Sequence, residues 1–278
     1  MIDFIGLGAQ KSGTSWAYAC LYEHPEICAP IKEIHFFSRP RFAKGKEWYE
    51  DHFKRCTEGK LKGEFSTSYL YSVETPSRIR EYYPQAKLIA ILRNPVDRAY
   101  SQYRNAIKSG EIPETVPFEK FKADEKSVLE QGLYAQQLKR YFDLFPKEQL
   151  LVLIYEDIKK DPDAFMRRIY QFLGVDDSFK ASMLQSEINI ARTPKLVFIE
   201  RAMHHTAEFM RRIGLDALVH QIRKAGLPEL VHSINTKPAQ HESMDHDRAS
   251  LAAYFKEDVT TLSRLLGRDL NSEWSIPS

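Results

Sequence analysis

Two hydrophobic patterns alternate along the chain. Unbroken apolar runs at Phe4–Leu7, within Lys87–Arg93 and at Leu150–Tyr155 are bounded by turn residues, and they predict strands buried on both faces. Apolar positions at helical spacing follow at Thr14–Tyr22, Val96–Ile107 and residues 126–145. A further helix is predicted from Asp161-Pro162 to Leu173, ended by Gly174. Gly63–Thr67 reads as a shorter strand. Thr75-Pro76 opens a helix to Tyr83, with Thr75 as the N-cap and Pro76 at the first position. Residues 46–56 read as a helix burying Trp48, Tyr49 and Phe53. Pro30–Phe37 alternates like a short extended segment or loop edge, and 109–117, with Gly110, Pro113 and Pro117, reads as a mobile loop.

Beyond residue 196 a helical stripe (Phe198, Met203, Phe209, Ile213, Leu218) carries His204 and His205, read as surface or packing histidines. Asp245–Leu266 predicts a last amphipathic helix. Strands alternating with helices predict an α/β fold: a doubly wound, mostly parallel sheet flanked by helices, in a single domain over 1–278. Residues 1–175 would form the α/β core and 176–278 a helical C-terminal part. Ligands of such sheets bind beyond the carboxyl ends of the strands. That places Gly8–Thr14, Arg93 and Tyr155 along one edge.

The stretch after the first strand is Gly8-Ala9-Gln10-Lys11-Ser12-Gly13-Thr14-Ser15-Trp16. Strand, Gly-containing loop and helix together make a phosphate cradle. Loop amides and the free N–H groups of the first helical turn converge, and the helix dipole favours an anion there. Lys11 adds a cation, and Thr14 and Ser15 add hydroxyls. The nucleoside-triphosphate loop G-x-x-x-x-G-K-[ST] keeps its glycine spacing here, but Thr14 stands where its Lys belongs. A site for fewer phosphates, with Lys11 reaching a bridging oxygen, fits better than magnesium-dependent ATP or GTP hydrolysis. A second cluster, Arg93-Asn94-Pro95-Val96-Asp97-Arg98-Ala99-Tyr100-Ser101, puts a planar donor fork at a strand end and a hydroxyl on the following helix.

Lys11–Trp16 resembles the 5′-phosphosulfate loop of sulfotransferases, which use 3′-phosphoadenosine 5′-phosphosulfate (PAPS). Arg93–Ser101 is similar to that family's R-x-P-x-x-R-x-x-S motif. Lys32-Glu33-Ile34-His35-Phe36-Phe37 resembles the K-E-x-H-F-F segment of heparan-type and related bacterial members. The resemblance covers residues 3 to about 175 and implies a P-loop-like fold with PAPS as co-substrate and no metal. It assigns Lys11, Ser12, Gly13, Thr14 and Ser15 to the phosphosulfate, Arg93 and Ser101 to the 3′-phosphate, and Trp16 and Tyr155 to the adenine side. Glu33 becomes the general base, with His35 as reserve or assistant. Arg98 braces the local structure. Arg192 and Lys195 occupy the place of the family's late basic loop without matching its forms. Gly63-Glu64-Phe65-Ser66-Thr67-Ser68-Tyr69 resembles a G-E-K-[ST]-P-x-Y stretch, with Phe65 in place of Lys and Ser68 displacing the Pro. Loss of that Lys argues against a heparan-like polyanion.

Composition narrows the partners. Over 278 residues the net charge is +2 and apolar residues make up 43%, so no global field selects nucleic acid or an anionic membrane. No apolar run reaches the length of a membrane span. The first strand starts almost at Met1, leaving no room for a signal peptide. Family members that modify glycans in the Golgi carry a membrane anchor, so a bacterial or cytosolic relative is expected, in the cytoplasm. Cys20, Cys28 and Cys56, an odd number without metal-ligand spacing, read as free thiols of a reducing compartment. The expected reaction moves a sulfuryl group to a hydroxyl or amine of a small-molecule or carbohydrate acceptor, and releases adenosine 3′,5′-bisphosphate. The alternatives are a P-loop small-molecule kinase and a non-catalytic nucleotide-binding protein.

Overall fold

A computed structural model of the chain describes residues 2–185, 192–194, 236–238 and 245–277. A five-stranded sheet runs in the order β2-β3-β1-β4-β5, with every pairing parallel. Its strands are β1 (Phe4–Gly8), β2 (Ile27–Cys28), β3 (Leu61–Phe65), β4 (Lys87–Leu92) and β5 (Leu150–Ile154). The connecting helices include α1 (Thr14–Glu23), α2 (Gly45–Glu50), α3 (Thr75–Tyr82) and α4 (Pro95–Lys108). They continue with α5 (Phe118–Asp124), α6 (Ser127–Glu130), α7 (Tyr134–Phe142), α8 (Tyr155–Lys160) and α9 (Pro162–Leu173). From Leu88 to Leu92 every residue of β4 is fully buried, so both faces of the sheet are covered. One layer packs Trp16, Ala17, Cys20 and Leu21 of α1 with Phe165, Met166 and Ile169 of α9, over Phe4, Phe65, Ile89 and Ile91.

The central register has a simple steric cause. Phe4 pairs with Gly63 and Gly6 with Phe65. A Cβ on Gly6 would stand 2.1 Å from the Phe65 ring, and one on Gly63 would stand 2.4 Å from Phe4. Each ring therefore lies over the glycine opposite it, and a two-residue slip, the smallest that keeps the same faces, would set Phe4 against Phe65. Phe65, which stands where the resembled G-E-K-[ST]-P-x-Y stretch has Lys, faces the core.

Several expected elements form as read. Asp161 caps α9 by accepting from Ala164 N, and Gly174 ends it at φ 83°. Other expectations are corrected. Thr75 is not the N-cap of α3: Glu74 holds that place, and the Thr75 hydroxyl is buried without a hydrogen-bond partner. The helix expected over 46–56 is broken, with 3-10 turns at Pro40–Lys44 and Asp51–Phe53 flanking the short α2, and Trp48 is only half-buried. The helix expected over 126–145 divides into α6 and α7 around Gly132, where a Cβ would meet Phe255 at 2.7 Å. The free-thiol reading holds for Cys20, which is buried, but Cys28 and Cys56 form a disulfide closing 28 residues. A loop of that length restricts the unfolded chain by about 3–4 kcal/mol in the chain-entropy account.

The chain divides into two compact units. The first comprises Met1–Ala99, Ser127–Ile188 and Asp247–Ser278, and it holds the sheet. The second comprises Tyr100–Lys126 and Asn189–His246. Within the second, Tyr100 and Tyr103 pack on Phe118 at ring distances of 4.4 and 5.5 Å, and the Tyr103 hydroxyl donates to Val116 O. Its Arg192–Pro194 strand pairs antiparallel with Thr236–Pro238. The helix expected over 196–225, with His204 and His205, lies outside the described residues. The helix Asp245–Leu266 forms as read, and a short helix, Leu270–Glu273, follows it.

Candidate active site

Every strand of the sheet delivers a polar segment at its carboxyl end. The loop after β1 turns sharply: Gly8, Lys11 and Gly13 have φ of 126°, 68° and 80°. Gly13 precedes α1 in the left-handed conformation, and a Cβ there would also strike the Tyr155 ring at 2.8 Å. Amides at the start of a helix lack intrahelical partners, and the first to bond back in α1 are Trp16 N and Ala17 N, both to Gly13 O.

After β4, Arg93 lies with its guanidinium 4.7 Å over the Tyr155 ring, and its Nη1 donates to Lys11 O at 3.1 Å. Tyr134 donates to Arg93 O at 2.9 Å. Arg93 is thereby tied to the phosphate loop by its side chain and to α7 by its backbone. Three buried polar atoms around this loop have no hydrogen-bond partner among the described residues: Ser12 Oγ, Gln10 Oε1 and Arg93 Nε. Orphaned buried polar atoms are costly. Two of these can donate, and they face the same short loop, so an anionic ligand fits the set.

The C-terminal segment braces this edge. The Asn94 side chain accepts from Val96 N at 3.0 Å and donates to Trp274 O at 3.0 Å. Glu156 accepts from Asn94 N at 3.1 Å and from Trp274 Nε1 at 3.2 Å. Arg268 clasps Asp157 and Glu273 in forked pairs. Fully buried Arg98 donates to Val128 O, the bracing role expected of it.

The loop after β2 carries the carboxylate. Glu33 and His35 both adopt positive φ, 64° and 54°. Glu33 Oε1 accepts from Lys32 Nζ at 2.6 Å and Oε2 pairs with His35 Nε2 at 2.9 Å. The amide and hydroxyl of Thr67 also donate to Glu33, at 3.1 to 3.2 Å. His35 Nδ1 lies 2.6 Å from Ser68 Oγ, which lies 2.6 Å from Ser38 Oγ. A neutral imidazole donating from Nε2 to Glu33 and accepting from Ser68 at Nδ1 satisfies this chain. Thr67 connects the two halves of the site, because its carbonyl oxygen would stand 2.7 Å from a Cβ on Gly8.

Burial opposes charge on Glu33, but the bonds from His35, Lys32 and Thr67 outweigh it and bring the carboxyl down from 4.5 to about 2. A folded-state value below the unfolded one adds stability above pH 4.5 that is lost as pH falls toward 2. Glu33→Gln is therefore expected to flatten this part of the acid limb. Chemical denaturation at pH 7 and pH 3 would show a smaller loss of stability for the variant than for the wild type.

The remaining expected site residues are placed as follows. Ser12 and Thr14 are buried and Ser15 is exposed at the start of α1. Trp16 is 4% exposed and meets Phe165 edge-on at 6.0 Å, so it is seated in the core layer. Tyr155, 7% exposed, forms the wall between Gly13 and Arg93. Ser101 lies on α4 in the second unit. Arg192 lies in a short strand of that unit, and Lys195 is outside the described residues. Among the described residues no group of three or more His, Cys, Asp or Glu is arranged to hold a metal ion, and no helix is long and apolar enough to cross a membrane. The partners Thr67, Ser68 and Tyr134 were not among the expected site residues; no motif marks a hydroxyl whose role is to hold another side chain.

The fold and these strand-end segments define a sulfotransferase domain, which the chain matches over residues 2–214. The chain belongs to that family, whose members are enzymes taking PAPS as co-substrate, and the kinase alternative falls. It is 34% identical over 194 residues to bifunctional heparan sulfate N-deacetylase/N-sulfotransferase 3 of Homo sapiens, covering 62% of this chain and 22% of that protein. It is 35% identical over 176 residues to heparan sulfate glucosamine 3-O-sulfotransferase 3A1 of Mus musculus, covering 61% of this chain and 44% of that protein. The chain thus spans less than half the length of these two relatives. Among solved structures, the sulfotransferase from Alicyclobacillus acidocaldarius superposes with a TM-score of 0.71 at 27% identity, covering 99% of both chains.

Proposed function

We propose that this protein transfers a sulfuryl group from PAPS to a hydroxyl or amine of a carbohydrate acceptor, with a small-molecule acceptor as the wider class. The observation that carries the reading is the coincidence at one sheet edge of two features. One is a loop with orphaned buried donors, Ser12 Oγ and Arg93 Nε; the other is an ionised carboxylate, Glu33, linked to that loop through Thr67. PAPS supplies the activated sulfuryl group and a phosphate leaving group. Lys11, Ser12 and the amides from Gly13 onward would hold its 5′ end, and Arg93 its 3′-phosphate.

Glu33 is the base in this reading. Its oxygens are occupied by Lys32, His35 and Thr67, and Lys32, half-buried but less so than His35, is the partner that an acceptor hydroxyl or amine would displace. Displacement removes a cation, raises the basicity of Glu33 and frees Lys32 for the sulfuryl oxygens. His35 stays on Oε2 and fixes the carboxylate. The two named relatives act on heparan sulfate, which supports a glucosamine-containing acceptor here. Core-facing Phe65 and the small net charge favour a short or lightly charged one over a long polyanion. The Cys28–Cys56 disulfide supports an oxidising compartment over the cytoplasm expected from the sequence.

Calorimetry with adenosine 3′,5′-bisphosphate, AMP and ATP, each with and without magnesium, tests the nucleotide part. The bisphosphate alone should bind tightly and without magnesium. Arg93→Ala should weaken it about 10- to 100-fold, the worth of a charge-assisted pair. Equal binding of AMP, or a preference for ATP with magnesium, would overturn it.

A further inference from the structure

The loop that carries Glu33 and His35 is held in an unfavourable conformation. Two non-glycine residues in the left-handed region are unfavourable unless the surroundings enforce them. Three backbone bonds do so here. Glu33 N donates to Phe65 O at 2.8 Å, His35 N to Ser66 Oγ at 2.8 Å, and Phe36 N to Tyr69 OH at 2.9 Å. Two of the three acceptors are hydroxyls, which rotate and donate as readily as they accept.

What sets those hydroxyls is Glu64 on β3. Ser66 Oγ donates to Glu64 Oε2 at 2.7 Å, and Tyr69 OH donates to Oε1 at 2.5 Å. Tyr49 of α2 adds a third donor at 3.2 Å. We propose that Glu64 is a positioning residue for the Glu33–His35 pair: its carboxylate takes the protons of Ser66 and Tyr69, so both hydroxyls present lone pairs to the amides of His35 and Phe36. Only a carboxylate accepts at both ends; an amide side chain accepts at one and donates at the other. Glu64 does this while fully buried and with no ion pair among the described residues. A bare carboxylate is an expensive choice for packing alone.

The groups facing Glu64 are Tyr49 from α2, Ser66 and Tyr69 beyond β3 and, at longer range, the charge of Glu33. Burial pushes Glu64 up from 4.5 to about 7, against the three hydroxyl donors, and the Glu33 charge adds to the rise. Ionisation of Glu64 therefore completes the arrangement as pH rises through about 7.

The inference rests on Glu33 as base only for its functional consequence, so its first readout is independent of turnover. Amide hydrogen exchange at His35 and Phe36 is compared in the wild type, Glu64→Gln, Ser66→Ala and Tyr69→Phe, each loaded with adenosine 3′,5′-bisphosphate. Glu64→Gln should speed exchange at both amides about tenfold, Ser66→Ala chiefly at His35 and Tyr69→Phe chiefly at Phe36, as expected for loss of a buried acceptor. Bisphosphate affinity should stay within about twofold of wild type in all of them, because none touches the phosphate loop.

The second readout is transfer from labelled PAPS to a short glucosamine-containing oligosaccharide across pH. The wild-type rate should rise through about pH 7, and Glu64→Gln should lose that limb along with about tenfold in kcat. Wild-type exchange at both amides in Glu64→Gln would overturn the proposal. If instead Glu33→Gln turns over normally while exchange responds as described, the base assignment fails and the positioning of the loop by Glu64 stands.

Discussion

Glu33→Gln is expected to lose sulfuryl transfer by about 10²- to 10⁴-fold, the usual worth of a positioned general base. Adenosine 3′,5′-bisphosphate should bind as before. The substitution keeps the shape of the side chain and its acceptor oxygen, so Thr67 retains one bond, while the amide can no longer take a proton. The measurement is single-turnover transfer from labelled PAPS beside calorimetry on the same preparation. His35→Ala should cost less, because His35 donates to the Glu33 oxygen at 2.9 Å without being the group that the acceptor meets. The reverse order, with His35→Ala inactive and Glu33→Gln near normal, would move the base to the imidazole. Glu33 would then be its orienting carboxylate, an arrangement the same distances permit.

The pair also explains why a carboxylate brought down to about 2 can serve as a base at all. In the absence of an acceptor Glu33 is held by a cation, an imidazole and an amide. An acceptor that replaces Lys32 removes the cation and meets a carboxylate still oriented by the other two. Basicity is thus raised when the acceptor arrives.

Much of this was legible in the sequence because it depends on local rules. An unbroken apolar run such as Leu88–Leu92 has few readings, and Asp161-Pro162 with Gly174 brackets a helix by capping chemistry alone. The phosphate loop is legible for the same reason: its glycines, Lys11 and the following helix are contiguous. The hidden part is built from contacts between distant segments. Glu33 and Thr67 are 34 residues apart, and Asn94 and Trp274 are 180 apart. Trp16 follows the phosphate loop, which invites a role in stacking, and its ring also packs edge-on against Phe165, a contact between distant segments that the sequence does not show. The Cys28–Cys56 bridge was missed because an odd count of cysteines says nothing about which two are neighbours in space. Phe65 gains its meaning only from the register that lays it over Gly6.

Lys11 should be the most damaging site in the phosphate loop. Lys11→Ala is expected to abolish turnover, with a loss of about 10²- to 10³-fold or more, comparable to removing a donor aimed at developing charge. Its effect on PAPS binding should be smaller, about tenfold, because the loop amides, Ser12 and Arg93 remain. The asymmetry is the point: charge grows on the leaving phosphate oxygen only as the sulfuryl group departs, so a cation placed there acts more on the rate than on affinity. Lys11 has φ 68°, and its carbonyl accepts from Arg93, so a substitution also risks moving the Arg93 anchor. Lys11→Met separates the two effects, since an unbranched side chain of similar length meets the same backbone cost and lacks only the charge. If Lys11→Met matches Lys11→Ala in rate while keeping the affinity of the wild type for PAPS, the charge is what the reaction uses. If Lys11→Met transfers at a normal rate, the neutralising cation is elsewhere, and Lys32, released from Glu33 by the acceptor, is the next group to replace.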